Sequence, residues 1–261
     1  MCLILFAFQY HSSNPLVIAA NRDEIFTRPT RCAQFWPENP DLLAGKDLLE
    51  GGLWLGITRK GRFAALTNFR DPDASTGSLS RGFIGKDFLL ADEHPEKFLQ
   101  ELSQNSHSYS GFNLLLGDYR ELYYYSNRNK EINKLESGIY GLSNHLLDSP
   151  WPKVTKGKLM LQKHLDASPD EELHTEELIT LLQDSTLPSD NLLPNTGIGL
   201  DNERVLSPLF IKTPYYGTRS STGLTVSNQG KVKFHEQCYV KNGNEADRSI
   251  IEFQLNKDSS V

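Results

Sequence analysis

An unbroken apolar run, Leu3-Ile4-Leu5-Phe6-Ala7-Phe8, follows a cysteine at position 2, and no other stretch constrains the fold as much. It is too short for a bilayer span, which takes about 20 residues. It lacks the basic leader and small-residue cleavage site of a secretory signal. With no polar residue to alternate with, the run suits a central strand buried on both faces. Cys2 then has two readings. One is a small core residue, since free cysteine is among the most buried residue types. The other is a nucleophile whose base is its own α-amine, of pKa roughly 7.7–8.0, freed by removal of Met1.

Composition narrows the function classes. With 38% hydrophobic and 23% charged residues, the chain reads as a soluble globular protein, and 261 residues suffice for one large domain or two small ones. A net charge of −6 argues against nucleic acid and against a basic membrane-binding surface. No run approaches transmembrane length, so no integral membrane segment is expected. Cys2, Cys32 and Cys238 are widely spaced and odd in number, which does not read as a disulfide framework. There is no CxxC, CxxCH or HExxH, and the seven histidines show no metal-ligand spacing. No metal site is expected, Cys32 and Cys238 read as structural, and the cytoplasm is the default location.

A turn at His11–Pro15 separates the first strand from a second, Leu16–Ala20, which ends in the polar cluster Asn21-Arg22-Asp23-Glu24. A hairpin returns that cluster to Cys2, although four polar residues after a strand also read as a solvated loop. Residues 27–50, with three prolines, look irregular. Residues 51–58 and 62–69 form a hairpin by their turn chemistry and apolar flanks. Gly51-Gly52 lacks the spacing of a phosphate loop and reads as close-packed or sharply turning backbone. A loop over 71–80 precedes helices at 82–92 and 95–105, strands at 110–118, 121–126 and 135–144, and helices at 151–165 and 170–183. A loop over 186–205 is long enough for a lid or functional insert. Three strands, 208–213 running into 217–227, then 231–240 and 249–255, close the chain. Two antiparallel sheets covered by helices on their outer faces account for this order.

Met1-Cys2, Ala19-Ala20-Asn21-Arg22-Asp23-Glu24, Gly51-Gly52-Leu53-Trp54-Leu55-Gly56, Ala64-Ala65-Leu66-Thr67-Asn68, Gly111-Phe112-Asn113-Leu114, Tyr140-Gly141-Leu142-Ser143-Asn144 and Tyr216-Gly217-Thr218-Arg219 occur in that order. Together they resemble the NRDE family, also called the transport and Golgi organisation protein 2 family. The one departure inside these blocks is Leu53, where the family usually has threonine. The blocks span nearly the whole chain, which implies a single domain over 1–261.

That family in turn resembles the N-terminal-nucleophile (Ntn) cysteine hydrolases that cleave bile-salt conjugates and penicillin V. The resemblance implies an α+β fold, a four-layer αββα sandwich of two antiparallel sheets. It also implies roles: Cys2 as nucleophile, Asp23 as the carboxylate that steadies the α-amine, Asn68 in the oxyanion hole, and Asn144 orienting substrate or nucleophile. The hydrolases carry arginine, asparagine, any residue, then aspartate, and here the first place is Ala20. Arg22 or Arg219 either supplies the missing guanidinium or serves as a structural ion-pair partner.

For the family as a whole the implied role is haem binding and haem trafficking, with links to lipid homeostasis and, in eukaryotes, to secretion and Golgi organisation. Two expectations follow. The first is a cytoplasmic haem-handling protein on a hydrolase-like scaffold, because the missing arginine harms catalysis but not ligand binding. The alternative is an amidohydrolase cleaving the linear amide of a small acyl substrate, with no cofactor required. Asn21, Arg22, His145 and Arg219 are the expected ligand-binding residues.

Overall fold

The computed structural model describes residues 2–72, 77–167, 169 and 172–256. Met1 and the middle of the expected 71–80 loop lie outside them. β1 (Cys2–Phe8) pairs antiparallel with β2 (Leu16–Ile25) and with β10 (Gly138–Leu142). β11 (Tyr216–Val226), β12 (Lys231–Val240) and β13 (Asn244–Gln254) complete a six-stranded sheet in the order β10-β1-β2-β11-β12-β13. The second sheet has seven strands in simple succession, from β3 (Thr30–Trp36) and β4 (Asn39–Asp47) through β5 (Leu55–Thr58) and β6 (Phe63–Asn68). It continues with β7 (Phe112–Gly117), β8 (Leu122–Ser126) and β9 (Ile132–Lys134). All the pairings are antiparallel.

The apolar run in β1 is explained by its two neighbours. Ile4, Phe6 and Phe8 point between the sheets, where they meet Leu16, Ile18, Leu55, Ile57, Phe63 and Leu115. Leu3, Leu5 and Ala7 alternate to the other face and pack under Val154, Leu161 and Leu165 of α3 (Pro152–Ala167). α4 (Thr175–Leu181) shares that outer layer through Leu178. On the far side α1 (Gly82–Leu90) and α2 (Pro95–Asn105) cover the second sheet through Ile84, Phe88 and Leu99. This is the expected four-layer αββα sandwich. A strand in a covered sheet has no solvent face, so period-2 polarity disappears.

Three local expectations are corrected. β2 does not stop at Ala20 but runs to Ile25, so the polar cluster is strand rather than solvated loop. Pairing with both β1 and β11 carries it on, including the partner pairs Cys2–Arg22 and Thr218–Asp23. Residues 27–50 are not irregular: they hold β3 and β4, with Pro29 and Pro37 outside the strands and Pro40 second in β4. A strand tolerates proline where no ladder donor is needed. The 186–205 segment carries a helical turn at Asp190–Leu192 and a short α5 (Leu200–Val205). It is pinned by buried Glu203, which accepts from Arg70 Nη1 at 2.7 Å and from the Thr196 main-chain N–H at 2.9 Å.

The cysteine reading also changes. Cys32 of β3 and Cys238 of β12 form a disulfide across the two sheets, with Cα atoms 6.4 Å apart and 206 residues of separation. Spacing along the chain carries no trace of a contact made by folding. Among the described residues, no helix is long and apolar enough to cross a membrane.

Candidate active site

β1 and β2 place Cys2 at one end of the first sheet, opposite Arg22. A cavity of about 390 Å³ opens there, lined among others by Cys2, Arg22, Asp23, Trp54, Asn68 and Arg81. Distant chain segments build it, chief among them the β1–β2 hairpin, the β5–β6 hairpin with the turn before it, and the segment leading into α1. Gly52 lets the last two meet, since a Cβ there would lie 2.6 Å from the Gly82 carbonyl carbon.

The 142–144 block holds Cys2 and Asn68 in place. The Ser143 hydroxyl donates to the Cys2 main-chain carbonyl at 3.0 Å. The Asn144 side-chain amide donates to the Asn68 carbonyl at 2.8 Å. Thr67, next to Asn68, donates its hydroxyl to the Ser143 carbonyl at 2.6 Å and accepts from Asn113 Nδ2 at 3.0 Å. Asn113, Thr67, Ser143 and Asn144 are all buried, so each bond forms out of reach of competing water. Asn68 lines the cavity, whereas Asn144 does not. Asn144 bonds the Asn68 carbonyl from behind the cavity lining.

Charge is concentrated around the thiol. Burial pushes the Cys2 thiol up from its ordinary value, and Asp23 adds to the rise while Arg22 opposes it. Asp23 is buried and accepts from the Thr218 hydroxyl at 2.8 Å. Burial raises its carboxyl, and Lys153 pulls it back down. Lys153, on α3, is itself buried and donates to the Leu206 carbonyl at 3.0 Å. Burial lowers its ammonium to about 8, against the favourable charge of Asp23.

Of the two candidate arginines, Arg22 lines the cavity and Arg219 does not. It is buried, lies 4.3 Å over the Trp54 ring, and approaches Asp47 at 3.6 Å and Glu24 at 3.9 Å. Its Nη1 is buried with no hydrogen-bond partner among the described residues. Arg28 bonds Asp47 on the same wall, so Asp47 is shared between two cations.

Three expected ligand-binding residues make their recorded contacts within the protein. Asn21 faces the helical layer: its amide donates to the Leu182 and Leu209 carbonyls, and it accepts from Ser221. Arg219 clamps the β2–β3 connection by donating to the carbonyls of Ile25, Phe26 and Arg28 and to Thr30 Oγ1. His145 shares a hydrogen with Ser149 Oγ at 2.7 Å and lies between the rings of Phe69 and Trp151. None of the three lines the cavity, nor does any other described histidine.

Lys153, Thr218, Trp54, Arg28, Asp47 and Arg81 were not singled out as functional residues from the sequence. Lys153 did leave a signal. It stands at i−4 to Gly157 and i−8 to Leu161, on the apolar stripe of α3 where a lone ammonium is out of place. Trp54 and Thr218 sat inside recognisable blocks but carry no reactive group. Arg28, Asp47 and Arg81 gave no local signal.

A thiol, a buried carboxylate, a buried cation and an amide around one cavity are the parts that acyl transfer uses. The overall architecture is similar to a conjugated bile acid hydrolase from Clostridium perfringens, with a TM-score of 0.56 at 11% identity over 99% of this chain and 94% of that one. Such distant identity speaks for the fold alone. Closer relatives exist by sequence. The chain is 35% identical to the Transport and Golgi organization protein 2 homologs of Bos taurus and Homo sapiens, over 92% of its length and 94% of theirs. The family profile described as Transport and Golgi organisation 2 matches residues 1–241. On these grounds the chain belongs to the Transport and Golgi organisation 2 family, built on an Ntn-hydrolase-like αββα fold.

Proposed function

We propose that this chain is an N-terminal-cysteine amidohydrolase acting on the C–N bond of a small acyl amide. The observation that supports it is the convergence of Cys2, Arg22, Asp23 and Asn68 on one cavity. Once Met1 is removed, the α-amine of Cys2 takes the thiol proton and the sulfur attacks the substrate carbonyl. Asp23, held by Thr218, favours the resulting ammonium. Asn68 faces the developing oxyanion, where one preorganised donor is worth about 3 kcal/mol. The ammonium returns its proton to the departing amine, leaving a thioester that water hydrolyses to the acid and free Cys2. Intact mass of protein from cells tests the reading: it should lack Met1, and a thiol-directed acylating probe should label Cys2 ahead of other cysteines. A retained Met1 overturns the enzyme, because the amine is then locked in a peptide bond.

A second reading, haem carriage with its tie to lipid homeostasis, is favoured by one observation. Arg22 Nη1 is buried at the cavity without a hydrogen-bond partner, a charged donor that suits a propionate carboxylate. The Cys2 sulfur is the iron ligand this cavity offers, with haem as cargo rather than resident cofactor. Titration with haem should then give a saturable Soret shift that Cys2→Ala abolishes, and a flat response removes the idea. Both readings place the protein in the cytoplasm, which subcellular fractionation checks.

A further inference from the structure

The Cys32–Cys238 bridge has a third member. Glu236 lies two residues before Cys238 on β12, so both side chains leave the same strand face. One oxygen of its carboxylate and the two sulfurs lie within 4.8 Å of one another. Cys238 Sγ is 3.9 Å from Glu236 Oε1. Glu236 is 1% exposed and accepts from the Ala33 main-chain N–H at 2.6 Å and from the Thr222 hydroxyl at 3.3 Å. Among the described residues, no lysine or arginine forms an ion pair with it. A plain disulfide needs no carboxylate beside it, and Arg22, whose charge reaches Glu236, forms no ion pair that would offset the cost of burying it.

We propose that, with the bridge reduced, Cys32, Cys238 and Glu236 bind a thiophilic divalent cation of the Zn²⁺ class. Ligands at ~2.3 Å (sulfur) and ~2.1 Å (carboxylate oxygen) around a tetrahedral ion stand about 3.5–3.8 Å apart. The Cys238–Glu236 spacing is already close to that value. Only the two sulfurs must separate, and Cα atoms 6.4 Å apart leave room for this by side-chain rotation. Reduction takes two electrons and two protons from a cellular dithiol, which is itself oxidised to a disulfide. Metal binding then releases the two thiol protons. Two thiolates and one carboxylate balance a divalent ion to within one charge, and water fills the fourth position. β3 and β12 are thereby joined in either redox state, by a covalent bond or by a metal.

Cobalt(II) alone is the probe, because thiolate ligation gives a near-ultraviolet charge-transfer band. The reduced full-length protein should show that band at one equivalent, and Cys2→Ser should keep it. Cys32→Ser and Cys238→Ser should lose it, and the oxidised protein should never show it. Glu236→Gln, which keeps the shape, should weaken binding by more than the ~10-fold that loss of a supporting outer partner costs. Circular dichroism of each variant separates a lost ligand from a lost fold, and Zn²⁺ should displace the cobalt. A reduced, folded protein without the band overturns the proposal. So does a band that survives in both Cys32→Ser and Cys238→Ser, or an unchanged affinity in Glu236→Gln.

Discussion

Asn144 and Asn68 are joined by a 2.8 Å hydrogen bond from the side chain of one to the main chain of the other, across 76 residues of sequence. Asn144 is fully buried, so its amide cannot find water in exchange. The position of Asn68 at the cavity wall is thus held by a residue that is not part of the cavity lining.

Replacing Asn144 by alanine should therefore act twice. Leaving the Asn68 carbonyl unpaired costs about 1–3 kcal/mol, read as a lower urea midpoint at unchanged slope. Acylation of Cys2 by a carbonyl probe should slow more than its alkylation by a halide, since only acylation passes through an oxyanion. Equal slowing of both would deny Asn68 the role proposed for it.

Lys153 gives the fold a pH signature. Its folded pKa, about 8, is below that of the unfolded chain, which holds its proton up to ~10.4. Between these values the unfolded state binds more protons, so stability from this group rises with pH, by at most ~1.4 kcal/mol per unit. Lys153→Met should flatten that rise. Urea unfolding of both proteins at pH 8, 9 and 10 isolates the difference from other titrations.

Arg22 favours the Cys2 thiolate. Arg22→Met keeps the stem over Trp54 but removes the charge, so the pH profile of Cys2 alkylation should move to higher pH. Arg22→Lys should restore part of the shift, because it keeps a charge but not the planar fork. A profile unmoved in Arg22→Met would show that the guanidinium does not reach the thiol.

Gly52 is tested by one carbon. A Cβ there would meet Gly82 backbone atoms at 2.6–2.8 Å, and backbone cannot rotate aside. Gly52→Ala should lower the melting temperature by an amount equal to about 1–3 kcal/mol, and it should also slow Cys2 labelling because Gly52 lines the cavity. Gly199, with nothing within 4 Å of its added Cβ but a positive φ of 83°, serves as a strain-only control away from the cavity.

Some of this was written in short stretches of sequence. β1 declared itself because a strand covered on both faces is apolar at every position, and Leu3 to Phe8 are. Cys2, Asp23, Asn68 and Asn144 could be named because their blocks resemble those of a known family. What local pattern could not reveal was where side chains turn when strands pair. Asn21 and Arg22 are neighbours, yet pleating sends one to the helices and the other to the cavity. Lys153 comes near enough for its charge to act on Asp23, Thr218 reaches Asp23 across 195 residues, and Cys32 finds Cys238 across 206. Those contacts exist because two sheets stack and a helix lies across one of them. Chain order thus settled most of the elements and their layers, while the β3–β4 hairpin, burial, pairing register and charge proximity were decided by tertiary packing.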